Sequence, residues 1–350
     1  LVGRYERPVV TVDGAQSFMW PIQNDRVDSN MKGDGKVVTV TNTHTGITLT
    51  RTIRAFSNEY HDNYHIVEYE LTNTGEIDEG LAEVPDQTLE EVHLGFSDLN
   101  EVNEQGMSML GWGSGWGHHT MGDGLDDEDN PTSFLPRRVM YAWQGRDVEQ
   151  DYNTVGGPAM TDNFPLVFEG DSVGRLTSDH FMGYAGLHAD KSAGDPSDDP
   201  MKPDYTNYDV WTTANAPSDK LSSLIFETID GGVADVTHFD KVVPPEAGPW
   251  EERFANVNVR PRLNDSGNGL MSGYGPYTLA PGETVRIVRV KAAAGLSDSA
   301  AMHIGREFKK LDNADNPFGD IEWDADGNGT IEADERMSKQ HWVATSRDSL

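Results

Sequence analysis

Residues 36–74 constrain the fold more than any other stretch, because they alternate between polar and apolar side chains. Residues 36–42 alternate, residues 43–46 form a polar turn that ends in glycine, and residues 47–56 alternate back. Residues 64–72 repeat the pattern after a wider loop. A period of two residues places the apolar side chains on one face of a strand. The block therefore predicts three consecutive antiparallel strands with one buried face, as in one sheet of a β-sandwich.

The rest of the body is predicted to be β-rich as well. The chain has 36 glycines and 18 prolines together with many Thr, Val and Tyr runs, a composition typical of strands joined by long loops. Residues 97–135 are predicted to form a long glycine-rich loop and residues 190–206 a long acidic one. Further strands are predicted at residues 89–96, 138–143, 181–188 and 284–291.

The hydrophobic period changes after residue 296. Ser297 is a good N-cap, and Asp298 lies in the first turn that follows it. The apolar residues that then recur at helical spacing are Ala301, Ile304, Phe308 and Leu311. We predict an amphipathic helix here and a second helix over residues 333–346. The chain is thus predicted to consist of a β-sandwich body, 1–296, and a helical C-terminal segment, 297–350.

The charge of the chain excludes several classes of partner. There are 59 acidic and 27 basic residues, and the net charge is -32. Such a field repels phosphate, so neither nucleic acid nor an anionic membrane is expected as a partner. No run approaches the 18 or so apolar residues of a membrane span, so no membrane insertion is expected. The acidic surface favours a calcium-rich or saline exterior, where cations screen the repulsion.

Two features of the sequence, its first residues and its lack of cysteine, are relevant to the cellular location of the protein. The chain has no cysteine, which excludes disulfides and thiolate zinc sites. It begins at Leu1 without methionine, within strand-like sequence, so we expect it to be a segment of a longer protein. The absence of a targeting signal is then uninformative, and the expected location is extracellular or at the cell surface.

Residues 324–335 are the one run whose residue types and spacing specify a chemistry. Oxygen-bearing side chains stand at positions 1, 3, 5, 9 and 12 of the run, and Gly329 occupies position 6, where the chain must turn sharply. Ca²⁺ takes about six to eight oxygen ligands at about 2.3–2.6 Å. The predicted ligands are Asp324, Asp326, Asn328, the backbone carbonyl of Thr330, Glu332 and Glu335.

This spacing resembles the calcium loop of EF-hand and dockerin-type proteins, and the resemblance implies Ca²⁺ as the cofactor. The flanks depart from that pattern. Residues 313–323 contain Pro317 and Gly319 and make a poor helix, so that only the exiting side is predicted to be helical. There is also no second loop. The resemblance therefore favours a structural clamp over a calcium-driven switch.

A second resemblance covers about a third of the chain. Residues 71–75 and the Pro-Gly-Glu turn within 279–285, which leads through 294–296 into a helix, resemble the super-sandwich β domains that accompany carbohydrate-active enzymes. The overall sequence pattern is similar to that of large secreted proteins of marine or halophilic bacteria. These resemblances imply a super-sandwich fold and an extracellular location, and they carry over no activity.

Other stretches are candidates for binding. The glycine-rich residues 111–119 include Trp112 and Trp116, which form either a sugar-stacking platform or, in the interpretation we favour, an interface or a plug of the sandwich end. The adjacent histidines of this stretch are a poor chelating pair, because they point to opposite sides of an extended chain. The acidic residues 123–129 and 190–204 are candidates for further Ca²⁺, but they lack defined ligand spacing, and the interpretation we favour is that of solvated loops.

No motif predicts catalysis. The chain has no G-x-S-x-G, H-E-x-x-H or P-loop pattern, and its carboxylates are too abundant for any pair to indicate a glycosidase. We therefore predict a non-enzymatic, extracellular, calcium-binding structural protein: a cell-surface, filament or adhesin-like module that associates with itself or with other surface proteins. The alternative is a carbohydrate-binding module or the non-catalytic domain of a polysaccharide-active enzyme. A hydrolase would need a deep pocket with two facing carboxylates.

Overall fold

The fold is mainly β. A computed structural model describes residues 1–6, 10–18, 24–58, 61–77, 83–99, 119–122, 139–144, 155–157, 159, 174–209 and 268–346. Within these residues it contains a large antiparallel sheet and two short C-terminal helices. The predicted fold class, a mainly β, sandwich-like chain with a helical C-terminal part, is confirmed.

The elements are numbered in chain order. The helices are α1 (Asp298–Asn313) and α2 (Lys339–Thr345), and a 3-10 turn spans Ala333–Glu335. The strands are β1 (Val2–Gly3), β2 (Val10–Val12), β3 (Ala15–Phe18), β4 (Arg26–Val27), β5 (Gly35–Asn42), β6 (Ile47–Ala55), β7 (Tyr64–Asn73), β8 (Leu89–Leu99), β9 (His119–Gly122), β10 (Val139–Gln144), β11 (His180–Ser192), β12 (Asp195–Asp198), β13 (Asp204–Asp209), β14 (Asn268–Leu279), β15 (Thr284–Gly295), β16 (Asp320–Glu322) and β17 (Arg336–Ser338).

The chain divides into two compact units, and neither is a continuous segment. The first consists of Leu1–His93, Ala185–Lys202 and Gly275–Ala292, and the second of Leu94–Tyr184, Pro203–Tyr274 and Ala293–Leu350. The predicted domain boundary after residue 296 stays a prediction.

The sheet of the first unit contains the predicted three-stranded block. Its strand order is β4-β1-β5-β6-β7-β15-β11. The β5, β6 and β7 strands pair antiparallel as predicted, in a register that places Val37 opposite Ile53 and Ile53 opposite Val67. Alternate residues of β7 are buried, among them Val67 and Leu71. Burial of each such aliphatic side chain stabilises the folded state by about 1.5–3 kcal/mol. The buried face of β7 therefore contributes to the core of the first unit.

The acidic segment 190–206, predicted to be a loop, contains strands instead. The β11 strand runs to Ser192, β12 pairs antiparallel with it, and β13 begins at Asp204. Asp190 is buried, and its Oδ2 accepts a hydrogen bond from the backbone N of Arg286 at 2.7 Å. Its other oxygen lies 2.7 Å from His188 Nε2. Because these bonds satisfy the carboxylate, an acid-rich sequence can extend a strand here.

The second unit confirms the predicted helix. Ser297 is the N-cap of α1, and its Oγ accepts a hydrogen bond from the backbone N of Ala300 at 3.3 Å. The buried face of α1 joins a core whose other members come from distant parts of the chain, namely Val155, Leu176, Phe181, Ile321, Trp342, Val343 and Ala344. No helix in the described residues is both long and apolar enough to cross a membrane.

A buried lysine belongs to the same core. Lys339 is fully buried at the start of α2, and its Nζ donates a hydrogen bond to the carbonyl of Gly157 at 2.6 Å. The Nζ also lies 3.8 Å from the ring centroid of Phe308, a cation–π contact. Burial lowers the pKa of Lys339 well below its usual value, because the apolar surroundings disfavour the charged form.

The predicted second helix, residues 333–346, is shorter than expected. The 3-10 turn and β17 occupy residues 333–338, and α2 begins only at Lys339. The β17 strand pairs antiparallel with β16, and Ile321 lies opposite Met337. A partner that lies outside the local sequence therefore overrides the helical pattern at this point.

Candidate metal centre

The predicted calcium loop connects the two strands of a β-hairpin. Residues 324–335 begin directly after β16 and Trp323 and end where β17 starts. The hairpin closes around the loop through a hydrogen bond from the backbone N of Trp323 to the carbonyl of Glu335, 3.1 Å long. The helical exiting side, predicted from residue 333, begins later than expected: a 3-10 turn ends the loop, β17 follows it, and α2 begins only at Lys339. The predicted lack of a helix on the entering side is confirmed.

The base of this hairpin is fixed to both helices. The indole Nε1 of Trp342 in α2 donates a hydrogen bond to the carbonyl of Ile321 at 3.0 Å. His303 in α1 lies with its Nε2 2.8 Å from the carbonyl of Glu322, and its ring packs 5.0 Å from that of Trp323. These supporting residues were not predicted as part of the site, and no spacing in the sequence connects them to it. They hold β16 so that the loop starts from a defined position.

The loop brings together three of the predicted ligands. One carboxylate oxygen from each of Asp324, Asp326 and Glu335 lies within 4.8 Å of the other two. Glu335 is buried, Asp324 half-buried and Asp326 exposed, so the group opens to solvent on one side. Three convergent carboxylates form a group that could hold a metal ion, and its geometry does not identify the metal.

Backbone N–H groups fix the first two carboxylates. Asp324 Oδ1 and Oδ2 accept hydrogen bonds from the backbone N of Asn328 at 3.0 Å and of Gly329 at 2.9 Å. Asp326 Oδ1 accepts a second bond from the backbone N of Asn328, also 3.0 Å long. Gly329 has φ +85°, a conformation that costs a residue with a Cβ free energy, which explains glycine at the predicted turn position. The loop thus winds around its own carboxylates.

Glu335 closes the loop from the other end. Its Oε1 accepts a hydrogen bond from the backbone N of Ala325 at 2.6 Å, and its Oε2 accepts one from that of Glu332 at 3.2 Å. The Glu332 and Glu335 carboxyl groups also share a hydrogen bond, which lowers the pKa of Glu335 and raises that of Glu332. The lowered pKa favours the charged form of Glu335, which is the form in which a carboxylate binds a metal.

The remaining predicted ligands lie in the same network but outside the carboxylate cluster. Asn328 Nδ2 donates hydrogen bonds to Asp326 Oδ2 at 2.9 Å and to Glu332 Oε1 at 3.3 Å. Its Oδ1 accepts a bond from the backbone N of Thr330 at 2.7 Å. The roles of Asn328, Thr330 and Glu332 as ligands stay predictions.

The other candidate stretches yield no competing centre in the described part of the chain. Residues 111–118 and 123–129 lie outside the described residues, so the sugar platform and the first acidic loop stay predictions. Of the long loop predicted at 97–135, the structure describes the end of β8 and the strand β9. Among described residues, the group in 324–335 is the one that meets the geometric requirement for three convergent His, Asp or Glu ligands.

Comparisons with known proteins do not place the chain in a family. No protein-family model matches the sequence, and no curated protein is significantly similar to it. The EF-hand, dockerin-type and super-sandwich resemblances therefore stay predictions that rest on the residue pattern. The geometry of the carboxylate triad stands independently of them.

Proposed function

We propose that the chain is a calcium-binding structural protein of the cell exterior, a module of a filament, a surface layer or an adhesin. The observation that carries the proposal is the convergence of Asp324, Asp326 and Glu335 on one point of a hairpin loop. All three donors are carboxylate oxygens, which suit hard cations such as Ca²⁺ and Mg²⁺ rather than softer metals.

The character of the loop favours calcium over magnesium. Ca²⁺ accepts about six to eight oxygens in irregular geometry, whereas Mg²⁺ demands a near-ideal octahedron at about 2.0–2.1 Å. A twelve-residue loop with carboxylate, amide and carbonyl oxygens at alternate positions supplies the larger, flexible set. We therefore name Ca²⁺ as the ion.

The contacts that attach the loop to the two helices support a structural role. Trp342 of α2 and His303 of α1 fix the hairpin through their contacts with β16, and such an attachment suits a clamp better than a switch. Three carboxylates within 4.8 Å of one another repel, and a divalent cation would turn that repulsion into attraction. In a chain without cysteine, an ion that joins the start of the loop to its end takes the part that a disulfide plays elsewhere.

The net charge of the chain supports the proposed extracellular location and the proposed partners. A net charge of -32 keeps copies apart unless cations screen it, and a calcium-rich exterior supplies such cations. Single loops of extracellular modules bind Ca²⁺ with dissociation constants of about 10⁻⁴–10⁻³ M, which suits such a medium. The proposed partners are further copies of the chain or other surface proteins.

Titration calorimetry tests the calcium site. We expect the wild type to bind one Ca²⁺ at the loop and the double variant Asp324→Ala with Glu335→Ala to lose that binding. The matched control is Asp334→Ala, which removes an exposed carboxylate of the same loop that is not a predicted ligand. Calcium binding that the double variant retains, or that the control also loses, would show that the triad is not the site.

Negative-stain microscopy of purified chain in calcium tests the structural role. We expect ordered polymers or sheets that disassemble in chelator. Discrete monomers that deplete polysaccharide from solution would refute this role and favour the carbohydrate-binding alternative. An unchanged melting temperature after chelation would show that the ion does not act as a clamp, even if it binds.

A further inference from the structure

The hairpin of β5 and β6 differs from the rest of the chain in charge. Residues 35–58 form the longest run without Asp or Glu, and they contain the basic residues Lys36, Arg51 and Arg54. The chain as a whole has a net charge of -32. Two copies of so acidic a chain repel over most of their surface, and they can approach where carboxylates are absent.

The β5 strand also has an open edge. On one side it pairs with β6 along its whole length. On the other side β1 pairs with Gly35 and Lys36, and no described strand pairs with residues 37–42. Within the described part of the chain, six residues of β5 backbone therefore have no strand partner on this side.

The register shows which backbone groups face this edge. The backbone N of Thr43 donates to the carbonyl of Ile47 at 2.9 Å, which makes this a hydrogen-bonded pair of the antiparallel ladder. Because hydrogen-bonded and non-hydrogen-bonded pairs alternate, the groups of Val38, Val40 and Asn42 point away from β6. The pairing of Lys36 with Val2 of β1 on that side agrees with this alternation.

The side chains at the edge are apolar and exposed. The exposed fraction is 38% for Val37, 45% for Val38 and 62% for Val40. Natural edge strands are protected by charges, prolines or bulges, and residues 37–42 contain none of these. An unprotected strand of this kind is a template for strand addition from another chain.

We infer that the free edge of β5 pairs with the same edge of a second copy of the chain, antiparallel and centred on Val40. This inference rests on the proposed function, of which self-association is a part. The occupant is a second copy because Val38–Asn42 carries no charge, so two such edges meet without the repulsion that opposes every acidic surface of the chain.

The register follows from the geometry of the edge. Two-fold antiparallel pairing brings residues with outward groups opposite each other. One register pairs Val40 with Val40 and has its axis there, and another pairs Val38 with Val40 and has its axis at Thr39. The second register extends to Lys36, where Val2 of β1 already lies. Centring on Val40 pairs Val38 with Asn42 in both directions and leaves β1 undisturbed.

Cysteine cross-linking tests the interface, since the natural chain has no cysteine. In the proposed register the two Val40 Cα atoms lie about 5.5 Å apart, within the range of a disulfide. We expect Val40→Cys in the full chain to form a disulfide-linked dimer under mild oxidation. The control is Thr41→Cys, an exposed neighbour whose two copies would lie about 8 Å apart, too far for a disulfide. Equal cross-linking of both variants would overturn the inference.

Sedimentation velocity of Val40→Lys separates the outcomes. A lysine at the axis places two like charges together, so we expect dissociation at concentrations where the wild type associates. The control is Leu187→Lys, which charges another exposed apolar residue of the first unit. A wild type that is monomeric throughout would overturn both this inference and the proposed role. Association that Val40→Lys leaves unchanged would overturn the β5 interface and leave the proposed role standing.

Discussion

The sheet of the first unit and the loop of the second are held by different forces. In the sheet, β7 lies between β6 and β15, and its alternate side chains are buried. In the loop most residues are exposed, and the hydrogen bonds run from backbone N–H groups to carboxylates. We therefore expect the stability of the sheet not to depend on calcium. The loop gathers negative charge, and its stability depends on what neutralises that charge.

The largest effect is expected for a truncation in the sheet. Ile287 is fully buried in β15, opposite Tyr69. Ile287→Ala leaves a cavity and should lower the free energy of unfolding by about 2–5 kcal/mol. Denaturant unfolding in calcium and in chelator measures the loss, which should be the same in both. A loss that calcium abolishes would contradict the contrast between sheet and loop.

The second-largest effect on stability is expected from removal of calcium from the loop. At a calcium concentration about 100 times the dissociation constant, binding stabilises the folded chain by about 2.7 kcal/mol, and chelation should remove that amount. Asp326→Asn keeps the shape of the side chain but removes a charge, so the difference between calcium and chelator should shrink. Thermal unfolding of this variant is compared with that of Asp334→Asn, which should behave as the wild type does.

A smaller effect is expected from the turn of the loop. Gly329 has φ +85°, and a Cβ there would meet open space, so the cost of Gly329→Ala arises from the backbone alone. We expect a loss of about 1–2 kcal/mol together with weaker calcium binding. Gly194→Ala is the control, because Gly194 also has open space but no positive φ. Equal melting temperatures for the two variants would contradict this explanation.

The smallest effect concerns an ion pair of the sheet. Burial opposes the charge of Glu68, but hydrogen bonds from Arg286 and Arg54 outweigh it and hold its pKa below the usual value. A lowered folded-state pKa contributes stability at neutral pH that is lost as the pH falls through that pKa. Glu68→Gln should lower the free energy of unfolding by about 0.2–1 kcal/mol at pH 7. It should also make that free energy depend less on pH in the acidic range. The control is Glu83→Gln, which removes an exposed carboxylate outside this ion pair.

Local patterns in the sequence predict a large part of this structure. The existence and pairing of β5–β7 follow from a period of two, although β5 does not bury the predicted face. The helix α1 follows from Ser297 and the helical spacing after it. The convergence of Asp324, Asp326 and Glu335 follows from the spacing of one loop, because a tight turn brings alternate residues together. In each case the pattern that predicts the feature lies within one continuous stretch of the sequence.

Other features depend on partners far away in the chain. Thr72 and Thr284 share a hydrogen bond of 2.7 Å across β7 and β15, although 212 positions separate them. The β17 strand has only three residues, and its pairing with β16 decides its conformation. Asp190 belongs to a strand because the backbone N of Arg286 satisfies its charge. No pattern within a short window contains these contacts.

The buried amine of Lys339 has a consequence for experiment. Acylating reagents modify accessible lysine amines, but they cannot reach that of Lys339 while α2 stays packed. Labelling at Lys339 must therefore wait for a transient opening, and its slow rate reports the free energy of that opening. Arg336–Ser338 lead directly from Glu335 to this lysine. The rate of labelling at Lys339, measured at different calcium concentrations, would therefore report how calcium binding at the loop changes the free energy of opening.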